Sequence, residues 1–271
     1  MSDFIKKCFA ISGAIITAAF TLLPESIFES IVLFPKWENT INIVINRIIL
    51  AIGIFLLTVA GVAIFRALRT SIVIKGKGFC IKVKYGDLFR FRNSKKIIPF
   101  DECFTTQIGL KPSEIKESSL CGQYLKKYPD INVQSLINKA NVKPEKTKSK
   151  YNSQERYNSG VLLPNGEFLL LAFAKLDKDG CGRMSRNEYL ECLSTLWGEI
   201  DKYYCQNDVC VPILGSGITR FDGEMISQQE LLDIIIETYK VSAHKIKKPA
   251  KLIVVCRRQE GFSLNKIGST L

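Results

Sequence analysis

Histidine is almost absent: His244 stands alone in 271 residues. A single histidine excludes every metal site built on a histidine pair, including H-E-x-x-H and the two-cysteine, two-histidine zinc pattern. No two of the nine cysteines form a C-x-x-C pair, and their positions (8, 80, 103, 121, 181, 192, 205, 210 and 256) follow no framework spacing. Cysteines scattered in this way indicate a reduced, cytosolic setting in which most are small apolar fillers. Acidic residues are in deficit, 26 against 38 Lys+Arg, for a formal charge of +12. Such an excess first suggests nucleic acid or an anionic membrane. The hydrophobic fraction of 46% excludes a wholly disordered chain, and the length allows one or two domains with a sizeable core.

The charge is unevenly placed. Residues 1–70 hold six basic and four acidic side chains, so the remainder carries +10 of the +12. From Ile48 to Phe65 no charge occurs in IILAIGIFLLTVAGVAIF. Extended back to Ile43, this run is long enough to span a bilayer, with Arg66 and Arg69 at one end. An earlier run, Cys8–Leu23, is of marginal spanning length; it reads as a second membrane helix, with a signal-peptide core or an interfacial helix as alternatives. No clear A-x-A site precedes Pro24 to favour cleavage. The expected layout is a membrane region over 1–70, with helices near 8–23 and 43–65, and a cytoplasmic domain over 71–271. Lys6 and Lys7 precede the first helix, and Arg66, Arg69, Lys75 and Lys77 follow the second. The positive-inside rule then places both termini in the cytoplasm. Trp37, in the apolar connector, is a candidate anchor at the outer interface.

After Thr70 the pattern changes. Ser71–Ile74, Cys80–Lys84, Val209–Leu214 and Leu252–Cys256 read as strands, and KKIIPF at 95–100 as a short apolar run ended by Pro99. VLLPNGEFLLLAFAKL at 161–176 reads as a hairpin turning at Asn165-Gly166. Asn187–Tyr204 and Gln228–Val241 show helical spacing of apolar residues, and two further short helices fit within 111–140. Alternating strands and helices predict an α/β layered fold. Lys143–Lys150 lacks interleaved aromatics and reads as a solvated loop, so no nucleic-acid partner is expected.

Two segments can carry chemistry. In VPILGSGITRF, 211–221, a buried strand runs into Gly215-Ser216-Gly217, where backbone N–H groups can wrap phosphate oxygens. A plain strand-to-helix turn is the alternative. DKDGCGRMSRNE, 177–188, nearly matches a calcium loop, but Cys181 stands where an oxygen ligand belongs and the preceding FLLLAFAKL looks like a strand. The alternative there is a polar turn, with Ser185 as N-cap and Glu188 in the capping-box position.

CIKVKYGDLFRF, KKIIPFDECFTTQIG, VLLPNGEFLLLAFAKLD, EYLECLSTLWGEID and VPILGSGITRF, taken in order, resemble a macro domain over about residues 70–260. More narrowly, the chain resembles the macro-type sensors of Thoeris antiphage systems that carry two N-terminal membrane helices. The resemblance implies a macro-like three-layer α/β/α domain with a mixed sheet, binding ADP-ribose or a relative. It places Gly86, Asp87 and Leu88 at the adenosine end, with Asp87 accepting from the adenine amino group. It places Gly215, Ser216, Gly217, Ile218 and Thr219 at the diphosphate, with Arg220 adding charge or making a structural ion pair. Asp101, Glu102, Thr105 and Thr106 fall near the distal ribose. The implied ligand is an ADP-ribose derivative such as histidine-ADP-ribose, made by a TIR-domain partner that consumes NAD. Binding is then expected to drive a homo-oligomer to disrupt the bacterial inner membrane, ending in growth arrest or cell death. The chain lacks the Asn-rich loop of ADP-ribosyl hydrolases, so a sensor without a metal or resident cofactor is favoured over an enzyme. A membrane-anchored hydrolase, with Asp87 or Asp101 activating water, is the alternative.

Overall fold

A computed structural model describes residues 3–217, 219–222 and 226–269. The chain divides into two units, Met1–Arg69 and Thr70–Leu271.

The first unit holds helices α1 (Asp3–Leu22), α2 (Glu25–Glu29) and α3 (Asn39–Ala67). α1 and α3 are long and apolar enough to cross a membrane. At a 1.5 Å rise per residue, the 29 residues of α3 span roughly 44 Å. Two buried asparagines of α3 hold the connector. Asn46 Nδ2 donates to the carbonyls of Phe28 at 2.9 Å and Ile31 at 2.7 Å. The Asn42 side chain accepts from Phe34 N–H at 3.0 Å and donates to the Phe34 carbonyl at 3.1 Å. These bonds satisfy backbone groups that the irregular segment between the helices leaves without helical partners.

The second unit is a mixed sheet between helical layers. Its strands are β1 (Ser71–Lys75), β2 (Cys80–Tyr85), β3 (Ser94–Asp101), β4 (Leu162–Asn165), β5 (Phe168–Leu176), β6 (Gly182–Met184), β7 (Asp208–Pro212), β8 (Arg220–Phe221) and β9 (Leu252–Cys256). They lie in the order β1-β2-β9-β7-β3-β5-β6-β8, with β4 also paired to β5. β2, β9, β7, β3 and β5 run parallel, so their carboxyl ends share one edge of the sheet. The helices are α4 (Leu120–Lys127), α5 (Val133–Ala140), α6 (Arg186–Tyr203) and α7 (Gln228–Val241).

Strand periodicity explains the two cores. In β5, Leu169, Leu171 and Phe173 join Tyr189, Leu193 and Trp197 of α6 and Leu232 and Ile235 of α7. Phe168, Leu170 and Ala172 point the other way, toward Tyr124 of α4 and Ile137 of α5. Both faces are covered, so FLLLAFA reads as an unbroken apolar run rather than an alternating one.

Two sequence expectations shift in detail. The hairpin turn is Gly166-Glu167 rather than Asn165-Gly166, because Asn165 pairs with Phe168 and Gly166 takes φ +60° in the first loop position. Pro99 does not end its strand. Lys96 N–H bonds to Glu167 on the β5 side, so the odd positions of β3 face β7, which pairs only with Ser94–Lys96. Position 99 therefore has no ladder bond to lose.

Segment 177–188 is a strand–turn–strand entry into α6, not a helix-flanked calcium hand. Asp177 accepts from Arg183 Nε at 2.6 Å and from Cys181 N–H at 2.9 Å. Ser185 and Glu188 form a complete capping box, and Glu188 also pairs with Lys175 at 2.6 Å. Ser185→Ala should lower stability by about 1 kcal/mol. In a unit of this size that is a fall of about 2–4 °C in melting temperature, read by thermal circular dichroism. An unchanged midpoint would show that the cap carries no weight.

Candidate functional site

A cleft of about 340 Å³ opens across the carboxyl ends of the five parallel strands. That edge is where α/β sheets bind ligands, because the strands end there and the loops diverge. Gly86 bounds the cleft beyond β2, Arg257 and Gln259 beyond β9, Ile213–Gly217 beyond β7, Asp101 at the end of β3, Leu176 at the end of β5 and Gly180 beyond it.

The loop after β7 forms the middle of the cleft. Ser216 N–H and Ser216 Oγ both donate to the Ile213 carbonyl, at 3.4 and 2.7 Å, which closes a tight turn. Gly215 sits at φ +80°, and a Cβ there would come within 2.8 Å of the Phe221 ring. Only glycine meets both demands. Around Gly217 nothing lies within 4 Å of an added Cβ, so its space opens to the cleft.

The predicted residues separate into two groups. Gly86, Leu88, Asp101, Thr105, Gly215, Ser216, Gly217 and Thr219 line the cleft together. Asp87, Glu102, Thr106 and Arg220 do not. Asp87 caps the short 3-10 turn Leu88–Arg90, accepting from Phe89 N–H at 3.0 Å and pairing with Arg90 at 3.5 Å. Glu102 is buried, accepting from Ser149 Oγ at 2.6 Å and from Leu176 N–H at 3.1 Å. Thr106 is exposed, and Arg220 is an exposed residue of the edge strand β8. Ile218 lies outside the described residues.

Asp101 is held by its own loop. Its carboxylate accepts from Cys103 N–H at 2.8 Å, from Thr105 N–H at 3.2 Å and from the Thr105 hydroxyl. Burial nevertheless raises its carboxyl above the ordinary value, with those hydrogen bonds pulling the other way. Burial also pushes up two nearby thiols, Cys103 to about 11 and Cys121 well above its usual range, so neither is a ready nucleophile.

Sequence reasoning missed one wall and one end of the cleft. The wall is Pro112–Ile115 with Ser119–Cys121, supplied by the segment between β3 and α4 and by the start of α4. That strap is self-supporting: Ile115 N–H donates to the Gln107 carbonyl at 2.9 Å, and the Glu114 carboxylate accepts from Lys111 N–H at 2.9 Å. It carries no periodicity, so nothing in its pattern marks it. The missed end is Arg257 and Gln259. Here a signal existed, since polar residues directly after the buried strand LIVVC must fall at the carboxyl edge. Arg257 makes no ion pair among the described residues, so it offers an uncommitted cation to the cleft.

Residues 81–257 match the family model described as Thoeris protein ThsA, Macro domain. Thoeris protein ThsA of Bacillus amyloliquefaciens (strain Y2) is 28% identical over 252 residues, covering 90% of this chain and 83% of that protein. Among solved structures, the Oceanobacillus iheyensis macrodomain with ADP aligns at a TM-score of 0.44 and 12% identity, over 70% of this chain and 89% of its own. Thermosipho africanus DarTG in complex with ADP-ribose aligns at 0.43 and 13% identity, over 72% of this chain and 46% of its own.

Proposed function

Because the chain belongs to the Thoeris ThsA macro-domain family, we propose that it is a defence effector whose cleft binds an ADP-ribose-type signal. The observation that carries this reading is the cleft itself: a glycine loop in the middle, with the uncommitted Arg257 at one end. Loop N–H groups and a guanidinium suit a diphosphate, the first by many short contacts and the second by charge. The +10 carried by residues 71–271 draws an anionic dinucleotide toward the domain.

The signal is histidine-ADP-ribose or a close relative, made by a TIR-domain partner from NAD. Binding shifts a resting chain toward an assembled state, by as much as the signal's affinity differs between the two. Two helices cannot enclose a pore, so disruption of the inner membrane needs several copies. The exposed apolar side chains along α1 and α3 suit a lipid surrounding, with both termini in the cytoplasm.

A sensor is favoured over a hydrolase by the state of the two candidate bases. Asp101 is engaged by Thr105 and Cys103, and Asp87 by Phe89 and Arg90. Neither presents an idle carboxylate to activate water.

Calorimetry of the full chain in detergent micelles tests the reading. ADP-ribose should bind saturably at one site per chain, the histidine conjugate should bind more tightly, and both should be recovered intact. No heat at millimolar concentrations of either compound would end the proposal, and steady turnover would replace the sensor with the hydrolase.

A further inference from the structure

One face of the β1–β2 pair is left open. Ile72 and Ile74 of β1 and Ile81 and Val83 of β2 pack into the core shared with α6 and α7. Strand alternation turns Val73, Lys75, Lys82 and Lys84 to the opposite face. On that side α4 and α5 pack on β3 and β4, and no residue of β1 or β2 joins the core they build. Val73, although apolar, is 49% exposed there.

The open face is also basic. From Ser71 to Arg92 the chain has six basic residues and one acidic, so this stretch supplies +5, half of the +10 carried by residues 71–271. The acid, Asp87, pairs with Arg90 at 3.5 Å. Lys75, Lys82 and Lys84 make no ion pair among the described residues. Lys82 and Lys84 stand two residues apart on one strand, about 7 Å by strand geometry. Like charges at that spacing with no acid between them favour an external anion. Its kind follows from the neighbourhood in sequence. α3 ends at Ala67 and β1 begins at Ser71, with Arg66 and Arg69 between or beside them. A basic cluster directly after a membrane-length helix suits anionic lipid headgroups. An exposed aliphatic side chain among the lysines suits a lipid interface better than a nucleic acid, whose bases stack on aromatic rings.

We propose that the open β1–β2 face binds anionic phospholipid headgroups of the membrane that holds the chain. The inference rests on the membrane reading of α1 and α3 and is independent of the signal's identity. Lys75, Lys82 and Lys84 are not part of the cleft lining, so the lipid and the signal have separate sites.

The test places the full chain, one copy per disc, in lipid nanodiscs of phosphatidylcholine alone or mixed with phosphatidylglycerol. Lysines are acetylated with an uncharged reagent and read by mass spectrometry. Each basic side chain at an anionic surface favours the bound state about fivefold, so three favour it about 100-fold. Lys75, Lys82 and Lys84 should therefore label at least about tenfold more slowly in the phosphatidylglycerol discs. Lys143 and Lys146, exposed in the loop after α5, should label alike in both. Added salt should remove the protection, because exposed charges are screened. In a chain carrying Lys82→Gln and Lys84→Gln, Lys75 should lose most of its protection while the melting temperature stays that of the parent. Fast labelling of all three lysines in both kinds of disc would overturn the assignment. Slow labelling only in discs that hold two copies, whatever the lipid, would overturn it in favour of a second chain. Protection by a single-stranded RNA in phosphatidylcholine discs, with none from phosphatidylglycerol, would give the face to nucleic acid instead. A chain that stays in solution without detergent or lipid would overturn the membrane reading itself and this inference with it.

Discussion

A Gly217→Glu chain should melt like the parent and bind ADP-ribose more than 100-fold less tightly. The substitution is expected to spare the fold because nothing lies within 4 Å of the added Cβ and the backbone there is not left-handed. Its effect on binding comes from charge. A carboxylate about 5 Å from one diphosphate charge, at an effective dielectric of about 20, costs about 3 kcal/mol. That converts to a factor of more than 100 in affinity. Gly217→Ala adds volume without charge and should lose far less, which separates repulsion from crowding. The loss should shrink as salt is raised, because the cleft is open to solvent. In cells that also make the signal, Gly217→Glu should abolish growth arrest. Parent-like affinity in a folded Gly217→Glu chain would remove the loop after β7 from the binding site. The neighbouring Gly215 cannot serve this purpose, since a Cβ there meets the Phe221 ring and fold and binding would fail together.

Glu102→Leu should lower the melting temperature by on the order of 10 °C. Leaving a buried donor without its acceptor costs about 1–3 kcal/mol, two donors lose theirs here, and in a unit of this size each kcal/mol moves the midpoint by about 2–4 °C; the Arg156 guanidinium keeps Glu145 as its partner. Glu102 joins three separate segments. One carboxylate oxygen takes Ser149 Oγ and Leu176 N–H, and the other lies 3.6 Å from the Arg156 guanidinium. Its backbone accepts from Tyr157 N–H at 2.8 Å and donates to the Ala174 carbonyl at 2.8 Å. Leucine fills the space and strands the Ser149 hydroxyl and the Leu176 N–H in the interior. Glu102→Gln keeps an acceptor and should cost less. Differential scanning fluorimetry in detergent reads both variants. An unchanged midpoint for Glu102→Leu would show that this junction does not hold the 145–157 segment to the sheet.

The contrast between Asp101 and Glu102 shows how far the chain can be read unaided. Adjacent acids after a buried strand look alike in sequence, and both were placed near the ligand. The end of β3 separates them: Asp101 closes the strand at the cleft, and Glu102, in the turn beyond it, reaches a buried junction. Asp87 shows a different limit. Its position beside a glycine was legible, but its carboxylate turns back to cap Phe89, a local bond that competes with any ligand. Arg257 shows a third: its place after a buried strand was legible, but its meeting with the loop after β7 came only when β9 and β7 paired in the sheet.

By itself the sequence determined the membrane-length apolar runs, the strand and helix order, the capping box at Ser185 and the glycine loop after β7. These rest on local periodicity and on backbone demands that a few neighbouring residues impose. Only the tertiary structure decided which acids face the cleft, which wall the segment between β3 and α4 builds, and which cation stands at the β9 end. Those outcomes depend on strand order and on contacts between residues far apart in the chain. The parallel sheet interleaves β2, β9, β7, β3 and β5 out of sequence order, so the residues that meet at its carboxyl edge carry no common spacing.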